Sequence, residues 1–394
     1  MTATPPLAGI TVVSLEQAVA APFATRQLAD LGARVVKIER PGKGDFARGY
    51  DEAVHGNSSY FVWLNRSKES LTLDVKHADG KKILDELLRR ADVFIQNLGP
   101  GAAARLGTDA STLKEQHPSL ITCTISGWGT EGPAADRKAY DLLVQCEAGL
   151  LSVTGTPEHM VKAGISVADI AAGMYAYSGI LTALLRKATT GEATAVEVSL
   201  FEALAEWMGS PMYYTAYSGR QPARAGADHA TIAPYGPYRT ADGTVLFSIQ
   251  NDPEWLSLCT QVLHSPQTAA DPRFAANSAR VTNRTELNAI IDAVLTKLPT
   301  ATVTELLDKA GIANAKINTI DEFVAHPVLS ARERWHDVAV PGGQISALRP
   351  PVDLDGIEPV MGPVPAVGEH TDAILRGLGR DDAAIAALRA ASVV

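Results

Sequence analysis

One carboxylate stands where it could act as a nucleophile. Asp169 lies in GISVADIAAGMYAYSGILTALL, at the mouth of a long apolar stretch with helical spacing. Its oxygens can cap that helix by accepting free backbone N–H groups. Partly desolvated, they can instead attack an electrophilic carbonyl such as a thioester. One oxygen cannot serve both ends fully, so a catalytic Asp169 has to aim its carboxylate outward. A second group is basic: Arg40, Lys68, Lys76, Arg105 and Lys138 fall near the ends of strand-like runs. Ligands gather at the carboxyl ends of strands in open α/β sheets, where cations suit phosphates. Taken singly, each of these cations also reads as solvated surface charge.

Other chemistries lack their motifs. The nine histidines form no HExxH and no HxH pair, so no metal site is expected. No GxSxG elbow, Walker-type loop or GxGxxG after the first strand occurs, which gives no support to a serine hydrolase, a nucleotide hydrolase or a dinucleotide enzyme. Cys123, Cys146 and Cys259 are odd in number, far apart and in no CxxC pair, a usage that fits a reducing cytosol. His229, in DHATIAPYGPY, reads as pocket lining or, at least as readily, as a packed or surface side chain; Phe247 and Trp255 read as core.

Strand–helix alternation has to position these groups. Ile10 to Leu15, Arg34 to Glu39, Leu71 to Asp74, Asp92 to Gln96 and Leu120 to Ile125 read as strands. Between them come PFATRQLADL, closed by Gly32, and GKKILDELLRRA, with Ile83, Leu84, Leu87 and Leu88 on one stripe. That alternation predicts a parallel α/β sheet. Ile165 to Leu185 and Leu200 to Tyr217 read as helical, separated by the polar passage TTGEATAVEVSL. Beyond a Gly-, Pro- and Arg-rich boundary at Gly219 come a strand pair around TVLFSIQN and amphipathic helices, the first carrying Leu287, Ile290, Ile291, Val294 and Leu298. A Pro/Gly-rich stretch from Val340 to Gly368 suggests an extended return leg before a short helical tail. The expected organisation is a large domain over 1–218, a small domain over 219–330, and a segment 331–394 that completes the large one.

With 394 residues, 46% hydrophobic and 20% charged, the chain has ample material for two or three domains and is not intrinsically disordered. Thirty-five basic against 44 acidic residues leave a net charge of −9, a poor match for nucleic acid or an anionic membrane. The uncharged run Ile170 to Leu185 falls short of the ~20 apolar residues a bilayer helix needs, and the N-terminus lacks a secretory pattern. A cytoplasmic location is expected.

The ordered set LADLGARVVKIERPGKGD, NRSKESLTLDVK, ADVFIQNLGPG, RKAYDLLVQCEAGLLSVTG, ISVADIAAGMYA and GIANAKINTIDEFVAHPVL resembles the class III CoA-transferases, a family that includes carnitine, formyl and dicarboxylate CoA-transferases and the α-methylacyl-CoA racemases. The resemblance implies a large Rossmann-like domain with a parallel sheet, a smaller inserted α+β domain, and an interlocked, ring-like homodimer. It places the nucleophile on Asp169, with a mixed anhydride and an aspartyl-CoA thioester as intermediates. CoA contacts carry over onto Arg40, Leu73, Lys76, Asn97, Arg105 and Lys138, and Tyr140 falls on the substrate side. No permanently bound cofactor is implied; the acyl-CoA thioester is a substrate.

Departures narrow the reaction. The racemases have Gly-His-Asp where this chain reads Ala139-Tyr140-Asp141, and tyrosine is a poor acid/base substitute for histidine near neutral pH. Val19 takes the position of a glutamine in the formyl-CoA transferases, and SIQNDPEW stands near the place of their glycine run. HATIAPYGPY, SIQNDPEW and DPRFAANSARVTNR resemble the branch acting on C4 and C5 dicarboxylates: itaconate, mesaconate or citramalate with succinyl-CoA, or CoA transfer between the two carboxyls of mesaconyl-CoA. For the acceptor's free carboxylate the candidates are Arg26, His229, Gln250 and Asn251.

Overall fold

The computed structural model describes residues 3–394. Six strands form one sheet: β1 (Thr11–Leu15), β2 (Arg34–Glu39), β3 (Lys68–Thr72), β4 (Val93–Gln96), β5 (Ile121–Ser126) and β6 (Ala195–Ser199). Their spatial order is β3-β2-β1-β4-β5-β6, and every pairing is parallel. A parallel sheet is covered on both faces, which is why its strands read as near-continuous apolar runs. Val12, Val35, Val93 and Ile121 face one layer, while Val13, Val36, Leu71 and Phe94 face the other. The second layer is closed by Ile83 and Leu84 of the helix Ala78–Leu88 and by Ile374, Leu375 and Ile385 from the C-terminal helices.

Two strands differ from their sequence reading. β3 begins at Lys68, so this lysine opens the strand instead of lying beyond its carboxyl end. β6 was hidden inside the polar passage after Thr190, because it is an edge strand whose Glu197 faces Thr130 and accepts from its backbone N–H and hydroxyl at 2.8 and 2.7 Å.

Helices α1 (Ala20–Asp30), α2 (Asp141–Glu147) and α3 (Val167–Thr190) carry the site. At 24 residues, α3 extends past the uncharged run and is long and apolar enough, by length and composition, to cross a bilayer. In the fold its Ala168, Ala171, Ala172 and Ala176 are buried in the same cluster as Ala20, Ala21 and Ala24 of α1. Small side chains bring the two helices close: a Cβ on Gly173 would lie 2.7 Å from the carbonyl oxygen of Ala20 and 3.0 Å from Cβ of Phe23.

The chain divides into two compact units. The larger comprises the chain up to Gly149, Ala163–Gly209 and Leu329–Val394; the smaller comprises Leu150–Lys162 and Ser210–Val328. The smaller unit thus starts nine residues before Gly219 and takes in a segment from before α3. Hydrogen bonds explain the recruitment: Gly226 N–H donates to Gly155 O at 2.7 Å, and the Arg224 guanidinium to the carbonyls of Thr156 and Pro157. A three-stranded antiparallel sheet (Tyr235–Arg239, Thr244–Ser248 and Asn314–Lys316) anchors this unit, over a core that includes Phe247, Trp255, Leu287 and Ile291. The expected extended return leg includes a hairpin, Trp335–Val340 with Gly343–Leu348.

Alanine at an exposed glycine inside a helix normally stabilises by about 1 kcal/mol. Gly173→Ala should reverse that sign and cost about 1–3 kcal/mol, because a backbone carbonyl cannot rotate away as a side chain would. Urea unfolding of the variant against the parent measures it.

Candidate active site

The strand order reverses between β1 and β4, and in such sheets the ligand crevice opens beyond the strand ends at that point. The chain leaving β1 reads Glu16-Gln17-Ala18-Val19 before α1 begins, and Asn97 follows β4. Asn97 clamps the first of these segments: its Oδ1 accepts from Gln17 N–H at 2.9 Å, and its Nδ2 donates to Gln17 O at 2.8 Å. Two cavities open here, of about 820 and 720 Å³. They share Gln17, Leu98, Gly99 and Ala102, and so adjoin across the clamp.

Asp169 lines the larger cavity, in the first turn of α3. The cap of α3 is supplied by a different residue. Asp141, first in α2, points its Oδ1 at the start of α3 and accepts from Ala168 N–H at 2.7 Å and Asp169 N–H at 3.2 Å. Its Oδ2 takes Gln145 Nε2 at 2.6 Å, and Gln145 Oε1 in turn accepts from Ala163 N–H at 2.9 Å. The orphan donors of α3 are thereby satisfied from outside the helix. Among the described residues no hydrogen bond or ion pair engages the Asp169 carboxylate. Burial, with the Asp141 charge adding to it, pushes this carboxyl up to about 7. A half-buried carboxylate that is unpaired and basic for its type is a competent oxygen nucleophile.

Around it stand groups that sequence reasoning passed over. Phe46, Tyr50 and Tyr60 line the same cavity, Phe46 tilted against Tyr50 at 5.8 Å and Tyr50 edge to face with Tyr60 at 5.4 Å. Burial, then Asp45 and Asp169, push the Tyr50 phenol up to about 12, so it stays a neutral donor. Arg137 lines the cavity as well, stacked over Trp128 at 4.6 Å and paired with Glu147 at 2.5 Å. The RK pair at Arg137–Lys138 and the acidic start of DLLVQ were signals for Arg137 and Asp141; nothing local marked Tyr50 or Tyr60. The backbone N–H groups of Val19 and Ala20, at the start of α1, meet no acceptor within the described residues and border this cavity.

The remaining sequence candidates are dispersed. Asn97, Arg105, Lys138 and Tyr140 line the cavity of Asp169, while Arg40, Leu73 and Lys76 line its neighbour. Arg40 donates to Gln17 Oε1 at 3.2 Å; Lys76, Arg105, Lys138 and Tyr140 are exposed. Lys68 is fully buried and bound to Glu16, Pro22 O and Asn65, so it has no access to a phosphate. Arg26 lines neither cavity. It is buried against Asp30 at 2.7 Å, with Arg66 on the same carboxylate, so its charge serves packing and it leaves the set of carboxylate receivers. His229, Gln250 and Asn251 belong to the smaller unit. There His229 stacks on Tyr235 at 5.1 Å, and Asn251 caps a helix through Glu254 N–H.

Residues 7–371 match the family model for CoA-transferase family III. The chain belongs to that family. It is similar to a succinate–glutarate CoA-transferase of Agrobacterium fabrum, 34% identical over 95% of this chain and 96% of the relative. An acetyl-CoA:oxalate CoA-transferase of Acetobacter aceti is 33% identical over 90% of each. The fold matches the crystal structure of a CAIB/BAIF family protein from Brucella suis with a TM-score of 0.84, at 32% identity over 95% of this chain and all of that one. The protein is therefore a class III CoA-transferase.

An aspartate whose folded pKa is raised from 3.8 to about 7 holds its proton more tightly folded than unfolded, so its contribution to stability declines as pH rises across that interval. Asp169→Asn should melt above the parent, with a gap that widens from pH 3.8 to about 7 and then stays constant in a thermal scan series. Asp141→Asn keeps an acceptor for the α3 donors and removes the neighbouring charge. It should move the pH profile of any Asp169-dependent rate toward acid, as read from kcat/KM against pH.

Proposed function

We propose that this CoA-transferase moves CoA from an acyl-CoA, succinyl-CoA foremost, to a C4 or C5 dicarboxylate such as itaconate, mesaconate or citramalate, with Asp169 as the covalent nucleophile. The unpaired Asp169 carboxylate, freed by the Asp141 cap and set in the larger cavity, carries this reading.

A carboxylate oxygen of Asp169 adds to the thioester carbonyl; the C–S bond breaks, and CoA leaves as thiolate. The product is a mixed anhydride of the donor acyl group and Asp169. The thiolate then attacks the Asp169 carbonyl of the anhydride and expels the donor acid as carboxylate, leaving an aspartyl-CoA thioester. The acceptor carboxylate attacks that carbonyl and expels the thiolate again, forming a second anhydride. Attack of the thiolate on the acceptor's carbonyl yields the new CoA ester and restores Asp169. No net proton is taken up or released. Each addition builds an oxyanion, for which the Val19 and Ala20 N–H groups at the start of α1 are the available donors.

In this reading CoA lies across the two cavities, with Arg40, Leu73 and Lys76 on its nucleotide end, where Leu73 packs beside adenine. Asn97, Arg105 and Lys138 line the passage toward Asp169. Tyr140 faces the acyl group, and His229, Gln250 and Asn251 remain the candidates for the free carboxylate. A homodimer in the cytoplasm is part of the proposal; exposed Tyr140, Met160, Tyr213 and Tyr217 are surface that a second copy would cover.

Purified enzyme given succinyl-CoA with itaconate, mesaconate, citramalate, glutarate or oxalate should form a new dicarboxyl-CoA ester, detected by chromatography with mass detection. Asp169→Asn should lower its rate at least about 1,000-fold. Products from oxalate alone would move the assignment to a shorter acid. Isomerised mesaconyl-CoA without any acceptor would make the transfer intramolecular. Deuterium exchange at the α-carbon of a 2-methylacyl-CoA would make the enzyme a racemase.

A further inference from the structure

Two short segments wall the cavity of Asp169: the turn Gln17–Ala18–Val19, and the 3₁₀ turn Phe46–Gly49 leading into Tyr50. A single buried carboxylate joins them. Asp45 Oδ1 accepts from Ala18 N–H at 3.1 Å and from Ala47 N–H at 3.0 Å, one donor from each wall. Its other oxygen receives Lys37 Nζ at 2.8 Å, and Asp45 N–H itself donates to Glu39 Oε1 at 2.8 Å. Lys37 has no exposed surface and also reaches Glu16 at 3.3 Å.

The geometry of Ala18 shows that this bond restrains the chain. Its φ of +59° lies in the left-handed region, which a residue with a Cβ enters only when its surroundings hold it there. The holding contacts are the Asp45 bond on Ala18 and the Asn97 clamp on Gln17, immediately before it. Immediately after Ala18, Val19 and Ala20 line the cavity. The same carboxylate caps the turn that presents Phe46 and Tyr50. Burial works against the charge on Asp45, yet Lys37 and the two N–H donors hold the carboxyl below its ordinary range, so the link is ionised at working pH.

We propose that Asp45, anchored by Lys37, is a positioning residue for CoA transfer: it fixes the spacing between the oxyanion-facing turn and the aromatic turn, and through them the placement of the acyl group against Asp169. This rests on the reading of Asp169 as nucleophile. Proximity is what such a link controls, and a misplacement of about 1 Å can cost about 100-fold in rate.

The test uses the full-length enzyme as parent, Asp45→Ala, Asp45→Asn, and Asp30→Asn as a control. Asp30 sits in a different buried ion cluster, with Arg26 and Arg66, and borders neither cavity. Each protein is scored for melting temperature, for CoA affinity by calorimetry, and for single-turnover acylation of Asp169 from succinyl-CoA by mass spectrometry. Asp45→Ala, whose side chain also borders the neighbouring cavity, should acylate about 100-fold more slowly at saturating succinyl-CoA. Asp45→Asn, which keeps an acceptor for Ala18, should lose about tenfold, and decides the matter if the alanine variant does not fold. Asp30→Asn should lose melting temperature and stay within about twofold of the parent rate. Acylation within about threefold of parent in folded Asp45 variants, or rates that follow melting temperature equally in the control, would overturn the positioning role. A parent that carries no acyl group on Asp169 would instead overturn the nucleophile assignment, and the positioning role with it.

Discussion

Charges without water must be matched by opposite charges and hydrogen bonds, and the switch point of this sheet is built on that constraint. Lys37 and Lys68 are wholly buried, facing Glu16 and Asp45. Lys68 satisfies its ammonium with Glu16 Oε1, Pro22 O and Asn65 Oδ1, at 2.7, 3.1 and 3.0 Å. Glu16 also accepts from Thr25 on α1 at 2.6 Å. The cluster thereby ties β1, β2, β3 and the first turns of α1 into one block. A partner removed from such a set strands a buried charge, so the block tolerates few alternative arrangements. The chain that leaves β1 toward the cavities inherits this fixity.

Asp169 has the opposite treatment. Its carboxylate is left without a partner, and Asp141 supplies the helix cap that an aspartate in this position would ordinarily provide itself. The two carboxylates divide the work by environment: Asp141 is neutralised by N–H donors, whereas Asp169 faces a cavity with only burial and a like charge nearby. The arrangement costs local stability whenever Asp169 is ionised.

The sheet was legible because its signal is local. Arg34 to Glu39 reads as a strand at both its ends, since a buried parallel strand is a short apolar run between Gly-containing turns. β6 was not, because its edge position admits Glu197 and removes the apolar run. Asp169 was visible as a residue with two uses, but the cap itself comes from Asp141, whose contact spans 28 residues of sequence. Asp45 and Ala18, 27 residues apart, are likewise joined only by the fold. Arg26 illustrates the converse: an arginine near a ligand-binding loop suggested a ligand, but its i,i+4 neighbour Asp30 and the distant Arg66 had already defined its surroundings. Spacing within one helix can be read from sequence; a third partner 36 residues from Asp30 cannot.

The seam between α1 and α3 bears on how such an enzyme can change. Gly173 and the facing alanines leave no room for a Cβ at Gly173 between the helix that carries Asp169 and the helix whose start borders the cavity. Phe46, Tyr50 and Tyr60 meet the same cavity with 42, 49 and 37% of their surface open. Mutational freedom is therefore distributed unevenly around one cavity: the open aromatic side has room for side chains of other sizes and shapes, while the close-packed seam does not.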